Sequence, residues 1–501
     1  MSTDPGQRNS SSGTGLARNL GLMGLAATGI CSMLGAAINV MPFALLRGIP
    51  EIGPHVLPAY AFAALPALLA ALAYGSLGSA MPRAGGSYVY ASRALSPWWG
   101  FIASFSQWFG LSIAIGVVSY LLVPFLRDMA GALGHAGVAG ALERGPIRVG
   151  ISIAFLWTFV LVNVRGLKLY ERTLVPMMFL MFALGGVVIV SGFAFDQGDF
   201  AAALMASEGR SIPAAPATPL QLVPFVTAAV VLFATFIGFD SIAQAGGEAR
   251  NPGRNIPLAI GIAIASVGGF YFLFTAAMYH AVPWQFVAEE AAIRDVTAPG
   301  LLGYLLPAAG TAAILAGAAV ALINDLPAML LAVSRMMFAW AEDGIFPRRV
   351  AAVHRSFHTP WVAILLSGAM ATVGIVGSHL AGDFFLGIDI LVTSMLVNFG
   401  LICLSLVTLP RRNPGLAREV KVLGRTGQRL VGGGGAAILG LFLVLHIVKD
   451  LSTETTAWYF HSTWVWLVVM GVASLIYLRE MARLRQRGVD TDRLFGTLPP
   501  E

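Results

Sequence analysis

The chain has 501 residues, of which 57% are hydrophobic and 11% charged, with a mean hydropathy of +0.77. A soluble globular chain has no use for that much apolar surface. The net charge of +6 is spread over short loops, which argues against a nucleic-acid-binding patch, and the two cysteines, Cys31 and Cys403, lie in distant apolar stretches and suggest no disulfide framework.

In chain order, residues 1–18 are rich in Ser, Gly and Arg without an apolar core. They read as a disordered tail rather than a signal peptide. Twelve stretches then reach the roughly 20 apolar residues that span a bilayer: 20–46, 56–81, 98–126, 147–165, 174–195, 220–245, 257–282, 301–333, 360–379, 384–409, 431–449 and 461–478. Twelve spans put both termini on one side. Arg47, Arg127, Arg144, Arg148, Arg210, Arg294 and Lys449 fall on the other side, and the remaining 24 of the 31 Lys and Arg fall on the side of the termini. That side is expected to be cytoplasmic. Arg outnumbers Lys 28 to 3, which fits a GC-rich coding sequence and a bacterial or archaeal inner membrane.

The loops carry their own punctuation. Pro82-Arg83-Ala84-Gly85-Gly86-Ser87-Tyr88-Val89-Tyr90 joins spans 2 and 3. Gly85-Gly86 permits a tight turn, and the amphipathic stretch after it is expected to lie at the membrane interface, with Tyr and Trp98-Trp99 at headgroup level. Asp196 to Pro219, between spans 5 and 6, is Ala- and Pro-rich and reads as irregular. A short helix is expected over 284–294. Ser334 through Pro360 joins spans 8 and 9 and carries Arg348, Arg349 and Arg355.

Span 6 contains a carboxylate in the run Phe236-Ile237-Gly238-Phe239-Asp240-Ser241. An Asp at the centre of a membrane helix costs roughly 2.5–3.5 kcal/mol on insertion scales, so the helix is expected to break there around a polar site. Span 1 has the same character, from Thr28 through Gly35 to Asn39 and then Pro42. Interrupted spans at corresponding positions of two halves point to a transporter site. A repeat of five spans is odd, so the second half would be inverted relative to the first. Small residues in a membrane helix also serve as packing contacts, and Asp240-Ser241 would cap the second half of span 6; a cap and a break coexist.

These residues resemble the amino acid–polyamine–organocation permeases over nearly the whole membrane domain. The glycine-rich stretch Ser32 to Ile38 with Pro42, the loop Pro82 to Tyr90, Asn163 to Lys168, the run Phe236 to Pro257 with Glu248 and Asn251-Pro252, and Ser334-Arg335 with Asp343-Gly344 and Pro347 are each similar to a family motif, in order. The resemblance implies an all-α integral membrane protein of twelve helices with a LeuT-type five-plus-five inverted repeat and broken helices 1 and 6. It implies a transporter core at 19–410, with halves at about 19–195 and 220–410, then helices 11 and 12 at 411–478 and a cytoplasmic tail at 479–501. It implies secondary transport of amino acids or related amines by alternating access. Three departures stand out. Span 5 lacks the lysine of many proton-coupled members, with Met181 near its place; Asn39 stands where an aromatic or apolar residue is usual; and Glu342 replaces an Arg before Asp343.

An amino acid presents a carboxylate and an ammonium, and a broken helix answers both, with N–H groups at one half-helix end and carbonyls at the other. The expected substrate site is Cys31, Ser32, Met33, Leu34, Gly35, Ala36 and Ala37 of span 1 with Phe233, Ala234, Thr235, Phe236, Ile237, Gly238 and Asp240 of span 6. The carboxylate would sit on N–H groups near Met33 to Ala37, and the ammonium on carbonyls near Cys31 and Ala234 to Ile237. Asn324-Asp325 interrupts apolar span 8, and intramembrane ionisable groups are functional candidates. In the inverted-repeat fold span 8 passes span 1 where sodium-coupled relatives hold an ion, so Asp325, with Asn324, is the coupling-ion or proton candidate in place of the missing lysine. The alternative reading is a protonated, hydrogen-bonded Asp, or one facing water. Arg335 is expected to anchor at the interface or to pair with Glu248, and Gln107 and Asn398 to join helices.

No catalytic residue, metal site or cofactor is implied, since the eight His are scattered and H-E-x-x-H is absent. The expected partners are an amino acid or related amine, a coupling proton or sodium ion, and the bilayer, with no nucleic acid; the oligomeric state is not indicated. Rival readings are a polyamine or other organic-cation carrier, a membrane enzyme and a nutrient sensor.

Overall fold

The computed structural model describes residues 16, 18–35, 37–214, 218–294, 296–381, 385–454 and 457–499. The expected N-terminal tail, apart from Leu16 and Arg18, lies outside the described residues, as does Ala36. Among the described residues every regular element is helical. Twelve are long and apolar enough to cross a membrane: Leu22–Gly48, Pro50–Ala80, Pro97–Ala132, Gly145–Val164, Leu167–Ala194, Leu222–Gln244, Pro252–Ala281, Ala309–Glu342, Trp361–Leu380, Leu386–Arg412, Arg425–Ser452 and Ser462–Gln486, here spans 1 to 12. The chain is thus a multi-pass membrane protein.

Burial divides the spans. More than two thirds of the residues in the apolar windows of spans 1, 3, 8 and 10 are buried, against fewer than a third in spans 4, 5, 11 and 12. The former make the centre and the latter turn apolar side chains such as Phe179, Val190 and Leu475 outward, as lipid contact requires. Span 8 starts later than expected because Ala298–Leu302 is a separate short helix and Pro307 caps the long one.

Spans 1 and 6 leave the helix near their middles. In span 1 one helix, Leu22–Met33, ends at Leu34 (φ −86°, ψ 70°) and another begins at Ala37. In span 6 the helix Leu222–Phe233 tightens into a 3-10 turn, Ala234–Phe236. Ile237 is then extended and Gly238 takes φ 134°, before helix resumes at Ser241–Gln244. That positive φ suits glycine, which has no Cβ to clash.

Two loop expectations need correction. The stretch after Gly85-Gly86 is not an exposed amphipathic surface: Gly86–Ala94 is a helix with every residue buried. Gly85, at φ 69°, turns the chain inward, and its N–H donates to the Gln244 carbonyl at 3.1 Å. A Cβ at Gly85 would run into Ala339. The loop after span 5 is not irregular throughout, because Gln197–Glu208 is helical. Its alanines favour helix, and Asp196 and Asp199 form a capping box. In the C-terminal region span 12 runs to Gln486, a helix comes next at Thr491–Gly496, and the Arg93 and Arg83 Nε atoms donate to the Thr497 and Pro499 carbonyls at 3.1 and 2.9 Å. The short helix expected over 284–294 is found at Trp284–Ile293.

Candidate substrate site

The two interruptions meet. Gly238 lies so close to Ser32 that a Cβ there would collide with the Ser32 carbonyl and the Met33 nitrogen. The hydroxyls of Ser32 and Ser241 are hydrogen-bonded at 2.9 Å. At the end of the first half of span 1, the Met33 carbonyl accepts from the Gly35 N–H at 3.1 Å and from the Tyr271 hydroxyl. Tyr60 bonds the Thr235 hydroxyl at 2.7 Å, and its ring meets Tyr271 edge-on and lies beside Phe236. Tyrosines of spans 2 and 7 thus fix both broken ends.

A cavity of about 100 Å³ lies at this junction. Ser32, Met33, Gly35 and Ala37 line it from span 1, and Ala234 and Ile237 from span 6. Leu111, Ala114, Val117 and Leu121 of span 3 and Ile388 and Leu391 of span 10 form an apolar wall, and span 8 contributes Met329 and Asp325. Asp325 is 6% exposed, and its Oδ1 has no hydrogen-bond partner among the described residues. Its carboxylate lies against Gly35, where any Cβ would strike it. Among the described residues no Lys, Arg or His lines this cavity.

Of the expected substrate residues, Cys31, Leu34, Phe233, Thr235, Phe236, Gly238 and Asp240 are not on the cavity wall. Gly238 supports the wall through its contact with Ser32. Phe233, Phe236 and Phe239 are buried in packing, with Phe233 and Phe239 both against Phe399. The Asp240 side chain does not cap the helix that begins after it. It turns back, accepting from the Gly238 N–H at 3.2 Å and from Gln107 Nε2. Gln107 Oε1 accepts from Gln244 and Asn398, both at 3.1 Å, and Gln244 and Tyr74 both bond the Ser87 hydroxyl. Asp240 is therefore one end of a buried polar network joining spans 2, 3, 6 and 10 to the helix Gly86–Ala94.

Asn324 also points away from the cavity. Its Nδ2 donates to Cys31 Sγ at 2.9 Å and lies 4.0 Å from Met181 Sδ, while Oδ1 has no partner among the described residues. Met181 thus borders the break in span 1 from span 5, where the sequence puts it.

Toward the termini the site is sealed. Arg335 and Glu248 form a two-pronged ion pair, Nη2–Oε1 at 2.6 Å and Nε–Oε2 at 3.0 Å, with both side chains buried. The Leu20 N–H donates to the Glu248 carbonyl at 2.9 Å, and the Arg250 N–H to the Leu20 carbonyl at 2.8 Å. On the opposite side a wider space of about 550 Å³ is lined by Arg47, Asp389, His446, Lys449, Asp450 and Glu454. Met41 and Ile388 border both spaces and so stand between them.

Sequence reasoning missed the walls from spans 3 and 10, whose apolar residues look the same whether they face lipid, protein or a cavity. It also missed Arg93, buried against Asp343 with Nη1–Oδ2 at 2.7 Å; an arginine in a short amphipathic stretch gives no sign that it points inward.

Residues 20–473 match the model of a family described as amino acid permease. A low-affinity putrescine importer of Escherichia coli is 26% identical over 72% of this chain and 72% of its own length. A branched-chain amino acid permease of Bacillus subtilis is 26% identical over 94% of this chain and 95% of its own. Human cationic amino acid transporter 4 is 26% identical over 71% of this chain and 55% of its own. The chain belongs to the amino acid permease family of membrane transporters.

Proposed function

We propose that this protein is a secondary transporter of a bacterial or archaeal cytoplasmic membrane, with both termini in the cytoplasm, that moves an amino acid or related amine by alternating access. The observation that carries this is the cavity that both helix interruptions border. One helix begins at Ala37 on the cavity wall, and the helices that end at Met33 and Phe236 end beside it, so N–H ends and carbonyl ends of half-helices come together there. The paired interruptions fit the inverted repeat that the sequence implies. The named relatives carry amine-bearing solutes, which supports an amine here. The seal toward the termini and the wide space opposite fit a conformation facing outward, with Met41 and Ile388 as the thin outer partition. Transport is coupled to a proton or sodium ion or runs as exchange, and the uptake test separates these.

The test is uptake into proteoliposomes of a panel of labelled amino acids and amines, with imposed pH or sodium gradients, alongside a thermal-shift panel of the same solutes. Gradient-driven accumulation of at least one amine-bearing solute is expected. No binding and no uptake of any of them would end this reading.

A further inference from the structure

We propose that Asp325 stands in for the carboxylate an amino-acid substrate would bring, so that the site takes a short aliphatic diamine and pairs one ammonium with Asp325. This rests on the cavity being the transport site. The Asp325 carboxylate lies against Gly35, two residues before the second half of span 1 begins at Ala37. The positive end of that half-helix attracts an anion, and the protein's own carboxylate lies close to it. A zwitterionic substrate would set a second carboxylate beside the first.

The charge balance points the same way. A buried carboxylate needs a cation or donors, and Asp325 Oδ1 has neither among the described residues. No basic side chain among them borders the cavity. A solute ammonium supplies the missing charge. Leu111, Val117, Leu121 and Leu391 offer no polar atom from their side chains, which suits a chain of methylenes, and about 100 Å³ limits that chain to a few carbons. Ala234 and Ile237 border the cavity at the carbonyl end of the first half of span 6, which offers acceptors to the second ammonium.

The experiment measures binding and proteoliposome uptake of 1,4-diaminobutane, 1,5-diaminopentane, lysine and leucine by the full chain and by Asp325→Asn and Asp325→Ala. Wild type is expected to bind the diamines and to reject leucine. Asp325→Asn should weaken diamine binding by at least about 30-fold, as for truncating a buried charge pair. Asp325→Ala, which vacates the anion position, should lose the diamines and gain leucine, a gain that misfolding cannot produce. Wild type that takes leucine or lysine at least as well as the diamines overturns the proposal while leaving the transporter reading intact. So does Asp325→Asn that binds diamines normally and loses only their gradient-driven accumulation, since the carboxylate would then serve the coupling ion. If no solute in the wider panel binds wild type, it is the transporter reading that fails. If neither variant folds, the wild-type preference alone decides.

Discussion

Gly238 and Ser32 touch backbone to backbone where the interruptions of spans 1 and 6 cross. Gly238 has φ 134°, and its missing side chain is the space that the Ser32 carbonyl fills. Gly238→Ala would force about 1–3 kcal/mol of backbone strain and push the two broken ends apart. Uptake should fall by an order of magnitude or more while the protein still elutes as a folded species in detergent. Gly268→Ala is the control, because the nearest atom to its Cβ is Phe236 Cε1 at 3.7 Å, an ordinary contact; it should transport as wild type does. Equal uptake by both variants would show that the contact is dispensable.

The Arg335–Glu248 pair predicts a pattern rather than a single number. Both side chains are buried, so removing one partner strands the other and should cost roughly 3–5 kcal/mol. Arg335→Met or Glu248→Leu alone should therefore lower the unfolding temperature in detergent sharply. The double variant, which strands no charge, should recover much of that loss. If the double variant is as unstable as the singles combined, the pair acts through shape and not through charge.

Much of this geometry is legible in the sequence, and the limits have physical causes. Twelve spans follow from apolar length alone, and the break in span 6 follows from the cost of Asp240 in lipid. Glu248 is legible as a partner of Arg335 because a buried arginine needs a carboxylate. The direction of a side chain is not legible in the same way. Asp240 folds back onto the Gly238 N–H instead of forward onto its own helix because Gln107 of span 3 waits there. Asp325 reads equally well as an ion or proton site or as a protonated or water-facing Asp, and nothing in the sequence puts Gly35 beside it. Leu111 and Leu391 face a cavity, while Leu475 faces outward, with the same chemistry in each.

The C-terminal segment should behave as a removable cover on the terminal side. Arg93 holds Asp343 through Nη1 and Nη2, at 2.7 and 3.2 Å, and Nη2 and Nε also donate to the Leu494 and Thr497 carbonyls at 3.4 and 3.1 Å. Tyr88 adds a third donor to Asp343 at 2.8 Å. The Phe495 ring, itself buried, lies 5.4 Å from the guanidinium. Phe495→Ala removes the buried apolar anchor of this short helix, so it should release residues 491–499 locally. Hydrogen exchange there should accelerate by about two orders of magnitude, corresponding to roughly 3 kcal/mol for a buried Phe truncated to Ala, while the spans keep their protection. Unchanged exchange would mean that the hydrogen bonds from Arg93, Arg83 and Asn413 hold the segment without the ring.

The cap of the Gln197–Glu208 helix gives a pH prediction outside the membrane. The N–H groups of Asp199 and Gly198 donate to Asp196 and hold its carboxyl below its usual value. A group whose pKa is depressed by folding stabilises the folded helix above its unfolded pKa, and that contribution is lost as pH falls through the folded one. The amides of residues 198–200 should therefore be protected at neutral pH and lose protection as the pH drops below the ordinary aspartate range, about pH 4. Asp196→Asn keeps an oxygen for the cap but cannot titrate, so its protection should be weaker at neutral pH and flat across the acid range. Asp196→Ala should lose protection at every pH. Exchange measured at about pH 2.5 and about pH 7, corrected for intrinsic rates, separates the three, and wild-type protection that survives the lower pH would mean that the hydrogen bonds do not depend on the charge.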